Sequence, residues 1–296
     1  MTRKTAADFA PEVLQLFDRY VHGLLSRRGF LQSAAKYTVG AVGAEAVLAA
    51  LSPNFANAQQ VPGNDPRIQT RYVEIASPKG YGTVRGYLAQ PAAAQGKLPV
   101  VLVVHENRGL NPHIEDIARR LALDNFIAFA PDALHPLGGY PGDEDKAREL
   151  FGKLDQAKTR ADFLAAAAYL KTLPQGNASV GAVGFCYGGG VVNFLATQLP
   201  DLGAAVPFYG NQPPDEEAAR IKAPLLIHYA ENDERIDAGW PRYEAALKKA
   251  HVHYQAFIYP GTQHGFNNDT TPRYDPAAAR LAWQRTVDFF NQELRA

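Results

Sequence analysis

The octet Val183-Gly184-Phe185-Cys186-Tyr187-Gly188-Gly189-Gly190 constrains this chain more than any other stretch. An apolar, β-branched run at 179–185 ends on it, and a helical pattern starts inside it, near Gly188. Glycines two residues before and two after Cys186 remove the Cβ atoms that would keep a strand and the following helix apart. The octet therefore predicts a strand, a tight turn and a helix packed back on the strand. Around it, short apolar runs alternate with longer helical patterns, the mark of an α/β fold with a mainly parallel central sheet and helices on both faces. Strands are expected near 71–76, 83–89, 99–105, 126–130, 179–185, 204–209, 224–229 and 254–259. Helices are expected at 112–123, at 143–173 as the longest, and at 276–294, where Trp283, Val287, Phe290 and Leu294 make one apolar face.

Charge narrows the ligand. Lys+Arg and Asp+Glu are both 30, so no basic field is available to hold nucleic acid, and a small-molecule partner is expected. The single cysteine cannot close an internal disulfide, and no Cys-x-x-Cys or Cys/His cluster calls for a metal. No cofactor is called for either. A lone cysteine is usually a small buried hydrophobe, and only its neighbours can argue otherwise.

The first 58 residues read as an address. Ser26-Arg27-Arg28-Gly29-Phe30-Leu31-Gln32 resembles a twin-arginine export signal, a weakly apolar run follows at 37–51, and Ala56-Asn57-Ala58 has small-x-small cleavage spacing. The run is short for a membrane span and contains Glu45. The expectation is a leader at 1–58 engaging the twin-arginine machinery, cleavage before Gln59, a polar linker at 59–65, and one domain at 59–296 released to the periplasm or outside the cell without a stable span.

In an open parallel sheet, chemistry belongs just beyond the carboxyl ends of the strands. Cys186 there sits at a helix N-terminus, whose partial positive charge favours thiolate. The glycines do not fall in the G-x-G-x-x-G register of a dinucleotide turn. After the run ending near Tyr229 comes Glu231-Asn232-Asp233, and after the last strand comes His264 in Gln263-His264-Gly265-Phe266. Cys186, Asp233 and His264 thus follow one another as nucleophile, acid and base, the chain order of an α/β-hydrolase. Asp233 would orient the imidazole and fix its tautomer. His251 and His253 lack a carboxylate partner and read as surface residues; His135 and His228 carry no stronger signal. The segment His105-Glu106-Asn107-Arg108 follows the third strand, and the amides of Asn107 and Tyr187 are the expected oxyanion donors.

Together these segments resemble the dienelactone hydrolases, also called carboxymethylenebutenolidases, across nearly all of 59–296. The resemblance rests on Gly184-Phe185-Cys186-Tyr187-Gly188, on Glu106, on Asn232-Asp233 and on His264-Gly265-Phe266. It implies an α/β-hydrolase fold, a Cys/Asp/His triad acting on a lactone or ester, and no cofactor. It also implies that Glu106 contacts the resting thiol and releases it as thiolate when substrate moves the carboxylate. The sequence departs from the family at Asn267-Asn268-Asp269, where members acting on dienelactone carry an arginine for the substrate carboxylate. Arg108, Arg273 and Arg148 are the candidates to replace it. Two other functions fit the same features: a non-catalytic binding protein on a hydrolase scaffold, and a thiol redox sensor. Ester turnover separates the first from an enzyme, and reversible sulfenic acid formation would mark the second.

Overall fold

The computed structural model describes residues 4–38 and 40–295, and only the backbone of 40–42. Eight strands make one sheet: β1 Ile68–Ser77, β2 Gly82–Pro91, β3 Leu98–Val104, β4 Ile127–Pro131, β5 Gly176–Phe185, β6 Ala204–Phe208, β7 Leu225–Asn232 and β8 Tyr254–Gln263. Their order is β1-β2-β4-β3-β5-β6-β7-β8. β1 and β2 form an antiparallel hairpin, β2 joins β4 antiparallel, and every pairing from β4 to β8 is parallel. This is the mainly parallel α/β sheet that the alternation of runs predicts, in the α/β-hydrolase arrangement that the resemblance implies.

The pleat explains why β3 is apolar at every position. Val100, Leu102 and Val104 enter the core on one face of the sheet, while Val101 and Val103 enter the core on the other, and all five are fully buried. Four helices precede the sheet: α1 Pro11–Val21, α2 Arg27–Ala34, α3 Gly40–Leu51 and α4 Phe55–Ala58. Within and around it lie α5 Pro112–Leu123, α6 Glu144–Phe151, α7 Gln156–Leu170, α8 Tyr187–Gln198, α9 Asp215–Ala218, α10 Glu234–Asp237, α11 Trp240–Lys249 and α12 Pro276–Leu294. Phe290 and Leu294 of α12 are buried in the second core, with Trp283 and Val287 packed at its margin, as their spacing predicts.

One long helix expected at 143–173 is two. The chain breaks between α6 and α7 because the Asp155 carboxylate accepts the amides of Ala157 and Lys158 and so starts a new helix, while Leu154 turns into the core. The residues at 59–65, expected as a free linker, are tied down at one end. The amides of Gln60 and Val61 donate to the Asp116 carboxylate at 3.1 and 2.8 Å, and Val61 is buried. No helix among the described residues is long and apolar enough to cross a membrane.

The N-terminal helices have their own small core. Val13, Leu14, Phe17 and Tyr20 of α1, Phe30 and Ala34 of α2, and Ala44, Leu48 and Leu51 of α3 are buried together. Phe30, the aromatic residue of the twin-arginine motif, lies 5.6 Å from the Tyr20 ring and 6.3 Å from the Phe17 ring.

Candidate active site

Cys186 lies between the end of β5 and the start of α8 with φ 56° and ψ −113°. A side chain held at positive φ is strained, and such strain persists only where the surroundings enforce it. Here the enforcement is visible. A Cβ at Gly184 would stand 2.2 Å from the Gly188 carbonyl oxygen, and one at Gly188 would stand 2.2 Å from that of Val104. The Cys186 amide donates to Phe208 O at 3.1 Å across the neighbouring strand. Strand, turn and helix are thus pressed together, which lifts the thiol above the carboxyl edge of the sheet.

The other candidates converge on the same edge. Asp233 follows β7, His264 follows β8, and Glu106, Asn107 and Arg108 follow β3. His264 Nδ1 is 2.5 Å from Asp233 Oδ2, and both side chains are buried. The imidazole is therefore fixed with its buried Nε2 toward the thiol. Burial opposes the thiolate, but the flanking imidazoles of His264 and His22 outweigh it and bring Cys186 down to about 6. Burial likewise opposes the imidazolium, but the Cys186 thiolate and the Asp233 carboxylate raise His264 to about 10. The favoured state is a thiolate beside an imidazolium. Tyr187 is the first residue of α8, where amides have no helical acceptor and are free to bind an anion.

The residue that sequence reasoning missed is His22. It follows α1, and its Nε2 lies 3.3 Å from Cys186 Sγ. Its ring meets that of His264 edge-on at 4.7 Å. Asp18, one turn earlier, takes His22 Nδ1 at 3.2 Å through its carboxylate and at 2.7 Å through its carbonyl. Burial lowers the His22 pKa, but the Cys186 thiolate and Asp18 overcome it, so the net shift is upward.

Its arrival displaces one expectation. Among the described residues no hydrogen bond joins Glu106 to Cys186. Glu106 Oε2 instead accepts from Asn268 Nδ2 at 2.9 Å, and His22 occupies the contact at sulfur. Asn268 belongs to the stretch where the family arginine is missing.

The candidate arginines also meet the N-terminal segment. Arg108 Nη1 donates to Val21 O at 3.2 Å and to Asn107 Oδ1 at 2.7 Å, and Asn107 Nδ2 donates to Val21 O at 2.9 Å. Arg148 Nη1 donates to Tyr20 O at 2.8 Å. Arg273 Nη1 is 3.5 Å from Asp18 Oδ1, with its guanidinium over the Phe17 ring. Arg108 and Arg273 line the cavity above the thiol, of about 390 Å³, whereas Arg148 is not in its wall. Tyr20, His22, Arg27 and Leu48 form the opposite wall. His228, by contrast, is structural: it is wholly buried between Thr286 Oγ1 and the Tyr259 hydroxyl, and burial holds it near 3.

Comparison with known proteins bears on the same residues. The dienelactone hydrolase family model matches residues 84–294, which includes every expected site residue. The chain belongs to the dienelactone hydrolase family. A Synechocystis protein with a provisional carboxymethylenebutenolidase name is 34% identical over 230 residues, covering 72% of this chain and 93% of its own. An Escherichia coli hydrolase fragment named YghX is 57% identical over 105 residues, 36% of this chain and 90% of the fragment. The crystal structure of a protein provisionally titled dienelactone hydrolase, from Klebsiella pneumoniae, superposes with a TM-score of 0.67 at 30% identity, covering 76% of this chain and 99% of that one. This dienelactone hydrolase relative is therefore a hydrolase of the carboxylic ester class. A second model, described as YqhI-like, matches residues 1–36, the segment that carries His22.

Proposed function

We propose that the chain hydrolyses a small ester or lactone through a thioester formed on Cys186. One observation carries the reading: a strained cysteine at a strand-to-helix turn, beside an imidazole whose far nitrogen is held by a buried carboxylate at 2.5 Å. The thiolate attacks the carbonyl carbon, and the oxyanion is held by the amides of Tyr187 and Asn107. A single such donor is worth roughly 3 kcal/mol in the transition state. The tetrahedral intermediate collapses, the C–O bond breaks, and the His264 imidazolium gives its proton to the leaving alkoxide. Neutral His264, oriented by Asp233, then takes a proton from water as the water attacks the thioester. The acid leaves and the thiolate and imidazolium are restored.

Glu106 lines the same cavity and is held by Asn268 rather than by the thiol, so its proposed role is toward the bound substrate and not as a guard of the resting sulfur. Arg108 and Arg273 are the proposed contacts for an anionic group on the substrate, since both reach the cavity. A panel of p-nitrophenyl esters and small lactones tests the reading. Turnover by the native protein is expected, and its persistence in Cys186→Ala would overturn the assignment.

The proposal extends to localisation. Residues 1–58 act as a twin-arginine leader, residues 59–296 as the exported hydrolase. Ser26-Arg27-Arg28-Gly29-Phe30-Leu31-Gln32 supports this, and Arg27 and Arg28 are exposed and accessible to a receptor. N-terminal sequencing of protein from the cell exterior should begin at Gln59; recovery of intact Met1 in the cytoplasm alone would defeat the claim.

A further inference from the structure

The three groups at the centre of the cavity make a set that neither hydrolysis nor export requires. Cys186 Sγ and one nitrogen each of His22 and His264 lie within 4.8 Å of one another. Both imidazoles have Nδ1 engaged by an aspartate. His264 gives Nδ1 to the Asp233 carboxylate, His22 gives Nδ1 to the Asp18 carbonyl with the Asp18 carboxylate at 3.2 Å beside it, and His22 Nε2 faces the sulfur. That pairing is how proteins fix the tautomer of a metal-binding histidine and raise its basicity. His264 Nε2 is buried, and the partner it faces is the Cys186 sulfur.

We propose that the chain carrying its N-terminal segment binds one divalent transition-metal ion of the zinc type at Cys186 Sγ, His22 Nε2 and His264 Nε2, and that the bound ion silences the nucleophile. One thiolate and two imidazoles suit Zn2+ and its analogue Co2+, with the fourth position left to water or an anion. Tetrahedral bonds of about 2.3 Å to sulfur and about 2.0 Å to nitrogen set the donors roughly 3.3 to 3.6 Å apart. His22 Nε2 already lies 3.3 Å from Sγ. The remaining donors lie within 4.8 Å of one another and need to close by up to about 1.5 Å, within the reach of side-chain rotation.

The charges around the set follow from its neighbours. Asp18 and Asp233 stand behind the imidazoles, and Glu106 lines the same cavity. Opposing them, Arg235 Nη2 lies 3.0 Å from His22 Nε2. Arg235 is about one-third exposed, and it swings to solvent when the ion enters. Binding takes the sulfur as thiolate and both imidazoles neutral, so any proton they carry passes to solvent and no oxidant or reductant is consumed. Because His22 belongs to the N-terminal segment, the ion also ties that segment to the hydrolase domain.

The inference uses Cys186 and His264 as the proposed mechanism does, but its test does not depend on turnover. Metal-free, full-length protein is titrated with Co2+. One equivalent should produce a thiolate-to-cobalt charge-transfer band together with the visible bands of four-coordinate cobalt, and Zn2+ should displace both. Cys186→Ser should lose the charge-transfer band. His22→Gln should weaken binding at least about tenfold, and Asp18→Asn, which leaves every ligand in place, should weaken it about tenfold or more. In parallel, the Zn2+ concentration that halves ester hydrolysis should rise in both variants relative to each variant's own zinc-free rate. Absence of the cobalt bands in native protein, or cobalt binding unchanged by both His22→Gln and Asp18→Asn, overturns the proposal. Cobalt binding without ester turnover would defeat the hydrolase reading alone, and turnover without cobalt binding would defeat this one alone.

Discussion

The N-terminal segment and the hydrolase domain are built on different principles, and they meet around the Cys186 sulfur. The domain has a parallel sheet buried on both faces, and its catalytic candidates sit at strand ends that the backbone ladder fixes. The segment packs three short helices, α1 to α3, around a handful of apolar side chains, and it reaches the site through backbone carbonyls, the Asp18 carboxylate and one imidazole. A ladder is cooperative and costly to open, whereas a docked helix cluster opens locally. The difference teaches that the catalytic candidates come from the domain, while the segment supplies part of the cavity wall around them.

The largest expected effect tests the domain's side of this division. Cys186→Ala should lower kcat for ester hydrolysis by about 10⁴-fold or more, since removal of a nucleophile leaves only binding and oxyanion stabilisation. Its melting temperature should stay close to that of the native protein.

Next in size is a loss of stability where the stretch just after the segment is tied to the domain. Asp269 is buried against His113 at 3.2 Å, Arg120 at 2.6 Å and Gln60 at 2.7 Å; burial opposes its charge, but these partners bring its pKa down to about 2. Asp269→Asn should cost about 3 kcal/mol in denaturant unfolding, because Arg120 is left partly uncompensated. A carboxylate with a depressed pKa stabilises fully above its unfolded value and loses that contribution as pH falls through the folded one. The difference between native and variant should therefore be complete at neutral pH and shrink between about 4 and about 2.

The pH profile probes the thiolate and imidazolium pair. Below about 6 the thiol takes its proton, and above about 10 the imidazolium loses the proton it gives to the leaving group. A plot of kcat/KM should thus be bell-shaped with its plateau between those limbs, falling about tenfold per pH unit outside them. A single rising limb near the ordinary thiol value would show that the imidazoles do not act on Cys186.

Phe30→Ala aims at the segment alone. Removing a buried aromatic side chain costs about 3 to 5 kcal/mol, which should loosen the small N-terminal core and expose the thiol, raising iodoacetamide labelling of Cys186 at least about tenfold. The main unfolding transition of the domain should barely move. If labelling stays slow, the segment does not control access.

The smallest effect sharpens the same point. In the full chain Glu106→Gln should change iodoacetamide labelling by less than about threefold, because His22, not Glu106, contacts the sulfur and controls its reactivity. A larger rise would return the guarding role to Glu106.

Much of the domain was legible in the sequence because its determinants are local. Period-two and unbroken apolar runs specify strands buried on one or two faces, and strand ends then place Cys186, Asp233, His264 and Glu106 on one edge. Even α5 and α12 start on a proline and follow an Asn or Asp cap that can be read directly. The break at 152–155 was less legible: the apolar pattern runs through it, and only the competition between the Asp155 cap and helix continuation decides it.

By itself, then, the sequence determined the α/β-hydrolase frame, the cysteine at its tight turn and the order of the residues around it. Tertiary structure alone decided what touches that cysteine. His22 and Cys186 are 164 positions apart, and no periodicity or motif links them. Their contact is set by the docking of a small apolar core and a few carbonyl hydrogen bonds, energies summed over surfaces that exist only once both parts have folded.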